Sequence, residues 1–197
     1  MALLARLTEA VTDARRLMER LVAEQGEVVV AAARLLAETL KNGGKILIFG
    51  NGGSAADAQH LAAEFVNRFQ VERPPLAALA LTTDTSVLTS IANDYAFTEV
   101  FAKQVRALGR PGDVAWGIST SGSSPNVVAA LEAAQELGLK TLALSGGEGG
   151  PVAARAEVAI IVPSRNTPRI QEVHITVGHV LCDLVDFLLF PEKFATS

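Results

Sequence analysis

The chain has few of the residues from which several kinds of site are built. Its 197 residues include one cysteine, Cys182, and three histidines. A single cysteine excludes a disulfide framework within the chain and a cysteine-rich zinc site. Any metal site must therefore use few imidazoles.

Long apolar segments and an excess of positive charge are also missing. No run of about 18 uncharged apolar residues occurs, so no membrane span is expected. Charges from Arg6 to Arg16 interrupt the N-terminal segment before the apolar core of a signal peptide could form. Lys and Arg total 17 against 21 Asp and Glu, a net charge of −4, which argues against nucleic-acid binding by general electrostatics. We therefore expect a cytoplasmic protein with no nucleic-acid or membrane partner.

The residues that are abundant indicate a globular protein, since 49% are hydrophobic and 19% are charged. Residues 3–41 have apolar residues at helical spacing and predict two amphipathic helices that separate near Gly26. After the Gly43-Gly44 pair, short apolar strands alternate with helices. Strands are predicted at 45–49, 76–81, 113–118, 141–144 and 158–162. Helices are predicted from the first glycine loop to about 69 and at 85–92, 97–108, 125–137 and 168–190, with a glycine-rich turn at 146–150.

This alternation predicts an α/β fold in which a parallel five-stranded sheet lies between helices. The length suits one domain with a sizeable core, and no linker, repeat or low-complexity segment divides the chain. We therefore predict a single domain over 1–197, with 1–42 as a helical N-terminal arm and 43–197 as the α/β core. Trp116 and Cys182 are predicted core residues, whereas Asp183 and Asp186 are predicted to face solvent or another subunit.

Two loops that follow predicted strands have the composition of an anion site. Gly50-Asn-Gly-Gly-Ser54 follows the first strand, and Ser119-Thr-Ser-Gly-Ser-Ser124 follows the third. Ligands of open parallel sheets bind at the carboxyl ends of strands, and the N-terminus of the next helix offers unpaired N–H groups. Such residues also favour ordinary turns and caps, but five hydroxyls in six residues favour a phosphate site. Neither loop contains Lys or Arg, so hydroxyls and amides would hold the phosphate.

Four polar residues on two predicted helices form a candidate metal site. His60 and Glu64 are four residues apart and share a helix face, as a simple surface pair also would. On the last helix, Gln171 and His179 lie two turns apart and differ by about 80° around the axis, whereas His174 points elsewhere. Two imidazoles, a carboxylate and an amide oxygen suit a divalent metal such as zinc. The spacing does not show that the two helices meet.

Taken together, these motifs resemble the sugar isomerase (SIS) domain family, and within it the phosphoheptose isomerases. The resemblance covers nearly the whole chain and rests on GNGGSAADAQHLAAEF (50–65), IANDYAF (91–97), GDVAWGISTSGSSPNV (112–127) and RIQEVHITVGHVLCDLVD (169–186). It implies a three-layer sandwich of flavodoxin-like or Rossmann-like type. It also implies a homotetramer with active sites between subunits, in which the N-terminal helices serve packing and oligomerisation.

The resemblance further implies an aldose–ketose isomerase. Such an enzyme converts sedoheptulose 7-phosphate to D-glycero-D-manno-heptose 7-phosphate through an enediol, the first step of nucleotide-activated heptose synthesis for lipopolysaccharide or another glycan. One Zn²⁺ per subunit would be bound by His60, Glu64, Gln171 and His179, and Glu64 and His179 would be catalytic. Substrate contacts would come from Asn51, Gly52, Gly53, Ser54, Glu64, Arg68, Asn93, Asp94, Ser119, Thr120, Ser121, Ser124 and Gln171.

Two other functions stay open at the level of sequence. The similar initiator-associating proteins of bacteria bind the replication initiator and share ERP (72–74), IANDYAFTEV (91–100), AKQVRALG (102–109) and LCDLVD (181–186) with this chain. A sugar-phosphate sensor would keep the pocket without the chemistry. The initiator-associating proteins lack the carboxylate at Glu64 and the imidazole at His179, so both residues favour the isomerase. Pro168 stands where certain isomerases carry an aspartate, so no acid role is expected there.

Overall fold

Five short apolar segments form one parallel sheet, which confirms the predicted α/β fold. The computed structural model describes residues 1–194. The strands are β1 (Ile46–Gly50), β2 (Ala78–Ala80), β3 (Val114–Ser119), β4 (Lys140–Gly146) and β5 (Val158–Val162). The helices are α1 (Ala2–Lys41), α2 (Gly53–Val66), α3 (Thr85–Asp94), α4 (Ala102–Leu108), α5 (Pro125–Glu136), α6 (Gly150–Ala154) and α7 (Thr167–Leu189), with 3₁₀ turns at Phe97–Glu99 and Pro191–Lys193.

The order of the strands across the sheet is β2–β1–β3–β4–β5. The chain therefore builds one edge of the sheet from β1 to β2 and then returns to build the other edge from β3 onward. β1 and β3 are direct neighbours, with Phe49 beside Gly117 and Gly50 beside Ile118. Such a reversal opens a crevice at the carboxyl ends of the two strands, where open parallel sheets bind their ligands. The loops after β1 and β3 flank this crevice.

Side chains of the central strands alternate between two hydrophobic cores, one on each face of the sheet. On β1, Ile48 packs into the core that includes α1, α2 and α7, whereas Phe49 packs into the core that includes α4 and α5. All five residues of β1 are buried, as expected for a strand covered by helices on both faces. Trp116 and Cys182 lie in the first core, which confirms the prediction for both residues.

The prediction of two N-terminal helices is wrong, because Ala2–Lys41 form one continuous helix. Gly26 lies in its interior and costs roughly 1 kcal/mol relative to alanine, which weakens a helix without ending it. Residues beyond it, including Val29 and Leu36, are buried in the core that α1 shares with the sheet and α7. Burial of this apolar face stabilises the helix more than one glycine destabilises it.

Two shorter segments also differ from the prediction. The predicted helix over 97–108 is a 3₁₀ turn followed by α4, which begins at Ala102. The glycine-rich turn leads into α6, a helix of five residues that the sequence pattern did not indicate. Gly149 and Gly150 have φ angles of +87° and +58°, so this turn uses backbone conformations that other residues rarely adopt. Among residues 1–194, no helix combines the length and the hydropathy that crossing a bilayer requires.

The prediction that Asp186 faces solvent or another subunit is also wrong. Its side chain is 2% exposed, and Oδ1 lies 2.7 Å from Nε of Arg73, whose side chain is fully buried. A buried carboxylate is costly unless it is paired, so the ion pair with Arg73 allows α7 to turn this residue inward. Asp183, which the sequence analysis grouped with it, is half-buried.

His174 lies in the core rather than in the site, as its angular position on α7 predicts. The residue is 1% exposed, with Nε2 placed 3.2 Å from the carbonyl oxygen of Ser145 and Nδ1 without a partner among the described residues. Burial lowers the pKa of His174 to about 4, and the hydrogen bond with Ser145 opposes this shift only in part. The folded protein therefore keeps this imidazole neutral at pH values where an unfolded chain protonates it.

We expect His174 to make the fold less stable in mild acid. An unfolded histidine takes up its proton below about pH 6.5, whereas His174 in the fold does so only near pH 4. The free energy of unfolding therefore decreases as the pH falls between these values, by about 2 kcal/mol from pH 7 to pH 5. Urea unfolding of the wild type and of His174→Gln at both pH values measures this, because the variant lacks this titration and its pH slope reports the remaining groups. Equal pH slopes in the two proteins would contradict it.

Candidate active site

The two loops at the crevice are joined by a pair of amide side chains. Nδ2 of Asn51 donates to Oδ1 of Asn126 at 2.8 Å, and Nδ2 of Asn126 donates to Oδ1 of Asn51 at 2.8 Å. Asn126 is 3% exposed and lies in the first turn of α5. The side chain of Asn51 thus fastens the glycine loop to the serine loop, and Asn126 is a site residue that the sequence analysis missed.

The glycine loop brings α7 into direct contact with the beginning of α2. A Cβ atom on Gly53 would lie 1.6 Å from Nε2 of Gln171, so only glycine leaves room for this amide. Gly52 has a φ of +57°, the left-handed region that favours glycine. Ser54 is 5% exposed and lies in the first turn of α2. Gln171 is therefore held against the loop that follows β1, as a ligand of this crevice would require.

Hydroxyl groups cluster in the serine loop after β3. Oγ of Ser119 lies 2.8 Å from Oγ of Ser124 and 3.4 Å from Oγ of Ser121. Oγ of Ser121 also accepts the N–H of Ser123 at 3.2 Å. Ser124 is the N-cap of α5 but makes no side-chain capping bond, and Thr120 is half-buried. These hydroxyls therefore bond mainly to one another and could reorient toward an anion at the helix N-terminus.

Close packing fixes the shape of the serine loop. Gly122 has a φ of +68°, and a Cβ atom there would lie 2.4 Å from the carbonyl oxygen of Gly149. The N–H of Val152 donates to the carbonyl oxygen of Gly122 at 3.0 Å. The glycine-rich turn before α6 thus packs against the serine loop and supports its shape. The sequence of the turn did not predict this contact.

Three of the four predicted metal ligands meet between α2 and α7. Nε2 of His60 lies 2.8 Å from Nε2 of His179 and 3.4 Å from Oε1 of Glu64. The side chain of His60 is 48% exposed and that of Glu64 is 23% exposed, so the cluster is open to a ligand. The fourth predicted ligand, Gln171, lies against Gly53 at the beginning of the same helix α2.

A glycine on α7 permits this meeting of the two helices. A Cβ atom on Gly178 would lie 2.6 Å from Cδ2 of Leu61. Leu61 follows His60 and Gly178 precedes His179, so this close contact between the helices lies beside the two imidazoles. Phe69, which follows α2, stacks on the His179 ring with 5.5 Å between centroids and 26° between planes. This aromatic contact orients His179 and was not foreseen from the sequence.

The donor set fits a divalent cation. The ligand atoms of His60, Glu64 and His179 lie within 4.8 Å of one another. Zinc binds imidazole nitrogen and carboxylate oxygen at about 2.0–2.2 Å, so small side-chain rotations would bring the three atoms around one ion. Two imidazole nitrogens that face each other must share a proton or a cation, since two lone pairs repel. A metal at this point would resolve that repulsion.

Asp57 adds a fourth titratable group to the same face of α2. It precedes His60 by three residues and Glu64 by seven, the spacing of one helix face. Its Oδ2 atom is buried and has no partner among the described residues. Burial raises the pKa of Asp57 to about 6, and the nearby charge of His60 acts in the opposite direction. Asp57 was not among the residues predicted from the sequence, although its spacing on the helix could have identified it.

Three predicted substrate residues pair with neighbours in the sequence rather than with this cluster. Arg68 follows α2 and pairs with Glu72 at 3.6 Å, while Nδ2 of Asn93 donates to Oδ1 of Asp94 at 2.8 Å near the end of α3. All three are exposed. Among residues 1–194, no hydrogen bond joins them to the glycine loop, the serine loop or the His–Glu cluster. Their substrate contacts stay predictions, which a site between subunits would accommodate.

Comparisons with known proteins agree with this architecture. A family model described as "SIS domain" matches residues 11–146. The chain is 57% identical over 187 residues to the phosphoheptose isomerase of Nitratidesulfovibrio vulgaris strain Miyazaki F, which covers 95% of this chain and 90% of that relative.

Solved structures give the same result. The phosphoheptose isomerase of Neisseria gonorrhoeae matches with a TM-score of 0.88 and 49% identity, over 93% of this chain and 98% of that one. The phosphoheptose isomerase of Francisella tularensis matches with a TM-score of 0.90 and 38% identity, over 94% of this chain and 99% of that one. Sequence and fold therefore match the same kind of relative over nearly the full length.

Proposed function

Because the chain belongs to the phosphoheptose isomerase family of SIS-domain proteins, we propose that it converts sedoheptulose 7-phosphate to D-glycero-D-manno-heptose 7-phosphate. The observation that carries the proposal is the meeting of His60, Glu64 and His179 on helices that line the crevice. Proteins that only bind the replication initiator, or only sense a sugar phosphate, need no such cluster of acid–base groups. We expect the enzyme to act in the cytoplasm, at the start of nucleotide-activated heptose synthesis.

The serine loop is the proposed site of the 7-phosphate. Its hydroxyls lie at the carboxyl end of β3 and at the N-terminus of α5, where unpaired N–H groups and the helix dipole favour an anion. Ser54 lies in the first turn of α2 at the neighbouring loop. Anchoring the far end of the sugar would orient the reacting end toward the His–Glu cluster.

We propose that His60, Glu64, Gln171 and His179 bind one Zn²⁺ per subunit. The close approach of two imidazoles and a carboxylate supports this assignment, and Gln171 would supply an amide oxygen. When bound, the ion would act as a Lewis acid toward the oxygens at the reacting end of the sugar. The protein's part is to hold these four side chains on two helices that pack closely.

The reaction moves one proton between carbons and one between oxygens. A base removes a proton from C1 of the ketose, the C–H electron pair forms the C1=C2 bond, and the carbonyl oxygen on C2 takes up a proton. The resulting enediol then loses the proton of the C1 hydroxyl, C2 gains a proton, and the aldehyde forms at C1. The sum is an isomerisation that consumes no co-reactant.

Glu64 is the proposed base and His179 the proposed partner acid and base. A carboxylate can take the C1 proton and return it to C2, while an imidazole can protonate one oxygen and deprotonate the other. A carboxylate that also binds metal is a weaker base, so the proposed roles of Glu64 as ligand and as base would compete with each other. His60, whose Nε2 lies 3.4 Å from Oε1 of Glu64, would keep this carboxylate close to the site.

We also propose a homotetramer whose sites lie between subunits. The first half of α1 exposes large apolar side chains, with Leu3, Leu7 and Val11 at 84%, 61% and 60% exposure. Exposed apolar stripes of this kind indicate a surface that another chain covers. Asn93 and Asp94 would then reach the site of a neighbouring subunit rather than their own.

A direct assay tests the proposed reaction and the proposed metal separately. Purified protein is incubated with sedoheptulose 7-phosphate, and the aldose is detected by nuclear magnetic resonance, before and after treatment with a chelator and after addition of Zn²⁺. We expect aldose formation that falls on chelation and returns with Zn²⁺. No aldose from Zn²⁺-loaded protein would overturn the isomerase. Full turnover by protein shown to be metal-free would overturn only the role of zinc.

A further inference from the structure

A fully buried arginine joins the end of α2 to α7. Nε of Arg73 donates to Oδ1 of Asp186 at 2.7 Å. Nη2 donates to the carbonyl oxygen of Glu64 at 2.9 Å, and Nη1 donates to that of Phe65 at 2.7 Å. Nη1 also lies 3.4 Å from the carbonyl oxygen of Asn67. One guanidinium therefore binds the last turn of α2, the loop after it and the carboxylate on α7.

These partners lie next to the groups that form the proposed active site. The last carbonyl groups of a helix have no partner within it, and one of those that Arg73 binds belongs to Glu64 itself. Asp186 follows His179 by seven residues, so the two lie on nearly the same face of α7. A single side chain thus connects the backbone of one proposed catalytic residue with the helix face that carries the other.

The chemistry of the pair favours a geometric role. A buried ion pair is often no more stabilising than apolar residues of similar size, because desolvation offsets the attraction. The guanidinium, however, is planar and presents five N–H donors in a rigid fork. Its several acceptors therefore fix both the distance and the rotation of α2 relative to α7.

We propose that Arg73 and Asp186 are positioning residues of the isomerase, which hold Glu64 and His179 face to face across the two helices. The proposal rests on the function proposed above, and it assigns a task to residues that contact neither the substrate nor the metal. Loss of either partner loosens the meeting of α2 and α7, which weakens metal binding and slows the chemical step. Binding of the phosphate at the serine loop is unaffected.

A second buried carboxylate, Asp113, provides a control. Asp113, whose side chain is 4% exposed, lies 2.5 Å from Nζ of Lys45 and accepts the N–H groups of Lys45 and Arg110 at 2.9 and 2.8 Å. These residues precede β1 and β3, at the amino ends of the strands and hence at the opposite edge of the sheet from the crevice. Asp113→Asn likewise removes the charge of a buried, paired carboxylate, here one whose partner Lys45 is 31% exposed, and it changes neither α2 nor α7.

The experiment compares Asp186→Asn and Arg73→Lys with Asp113→Asn. For each protein the thermal midpoint, kcat and KM are measured, together with the Zn²⁺ affinity of the metal-free form by competition with a chromogenic chelator. We expect all three variants to unfold at lower temperature. Only the variants at 73 and 186 should bind Zn²⁺ about 10-fold more weakly and lose kcat about 10-fold, with KM within about twofold of the wild type.

Several outcomes separate the proposal from a merely structural role. If Asp186→Asn matches Asp113→Asn in Zn²⁺ affinity and kcat, the pair only stabilises the fold and the proposal is wrong. If Asp186→Asn does not fold, the result for Arg73→Lys tests the proposal, because lysine keeps the positive charge but lacks the planar set of N–H donors. An unaltered Zn²⁺ affinity and kcat in Arg73→Lys would overturn the proposal. A wild type that binds Zn²⁺ but produces no aldose would instead overturn the proposed function.

Discussion

Replacing Glu64 by glutamine is expected to reduce kcat for sedoheptulose 7-phosphate by about 10³-fold while leaving the fold in place. Glutamine has nearly the same shape, but its amide cannot accept the proton that leaves C1. The side chain of Glu64 is 23% exposed, and its Oε1 atom lies 3.4 Å from Nε2 of His60. Its loss therefore leaves no buried charge unpaired, and the thermal midpoint of the metal-free protein should change little. The oligomeric state should also be that of the wild type.

Exchange of the C1 proton of the ketose with deuterium from the solvent tests the role of Glu64 more directly than turnover alone. If Glu64 is the base, the glutamine variant should neither form aldose nor exchange the C1 proton of the ketose with D₂O. The control is Glu72→Gln, the same change at an 87% exposed side chain that pairs with Arg68. That variant should retain turnover, since its carboxylate lies outside the cluster. Near wild-type turnover or exchange in Glu64→Gln would remove Glu64 from the role of base.

Replacing His179 by glutamine is the second change with a large expected effect. We expect kcat to fall by about 10²–10⁴-fold and Zn²⁺ binding to weaken, because the variant loses an acid–base group and one proposed ligand. The ring lies 2.8 Å from His60 through Nε2 and stacks on Phe69. Glutamine keeps a polar end group but has neither the titratable nitrogen nor the aromatic face.

His174→Gln is the matched control, since it makes the same substitution five residues earlier on α7. His174 is buried against Ser145 and away from the cluster, so this variant should lose stability but keep its Zn²⁺ affinity and kcat. The measurements are kcat, Zn²⁺ affinity and subunit number for both variants. If both histidine variants behave alike, or if His179→Gln turns over at the wild-type rate, His179 has no catalytic role.

Local patterns in the sequence predicted the parts of this fold that depend on neighbouring residues. Short continuous apolar runs between glycine-rich or polar loops located all five strands, and β5 was predicted at the residues where it lies. The helical spacing of His60 and Glu64 placed them on one face. The N-terminal helix was predicted less well. Gly26 favours a break in the local sequence, whereas the burial of Val29 and Leu36, which keeps the helix continuous, depends on tertiary packing.

The contacts that assemble the candidate site could not be predicted in the same way. The Arg73–Asp186 ion pair joins residues 113 positions apart, and the Asn51–Asn126 pair joins residues 75 apart. Nothing in the sequence around Gly178 indicates that Leu61 packs against it. Such contacts follow from the three-dimensional packing of helices on the sheet, which local spacing does not encode. Spacing identified the candidate ligands, whereas packing brings three of them together.

The continuous helix α1 has a consequence for how stability should be expressed. At 1.5 Å per residue, its 40 residues extend about 60 Å, roughly twice the diameter of a small domain. Its first half leaves Leu3, Leu7 and Val11 exposed on the single chain, so in the proposed tetramer their burial depends on a neighbouring copy. Folding and association are then linked by mass action. The thermal midpoint becomes a function of protein concentration, and dilution favours unfolding of the arm without any change in the chain.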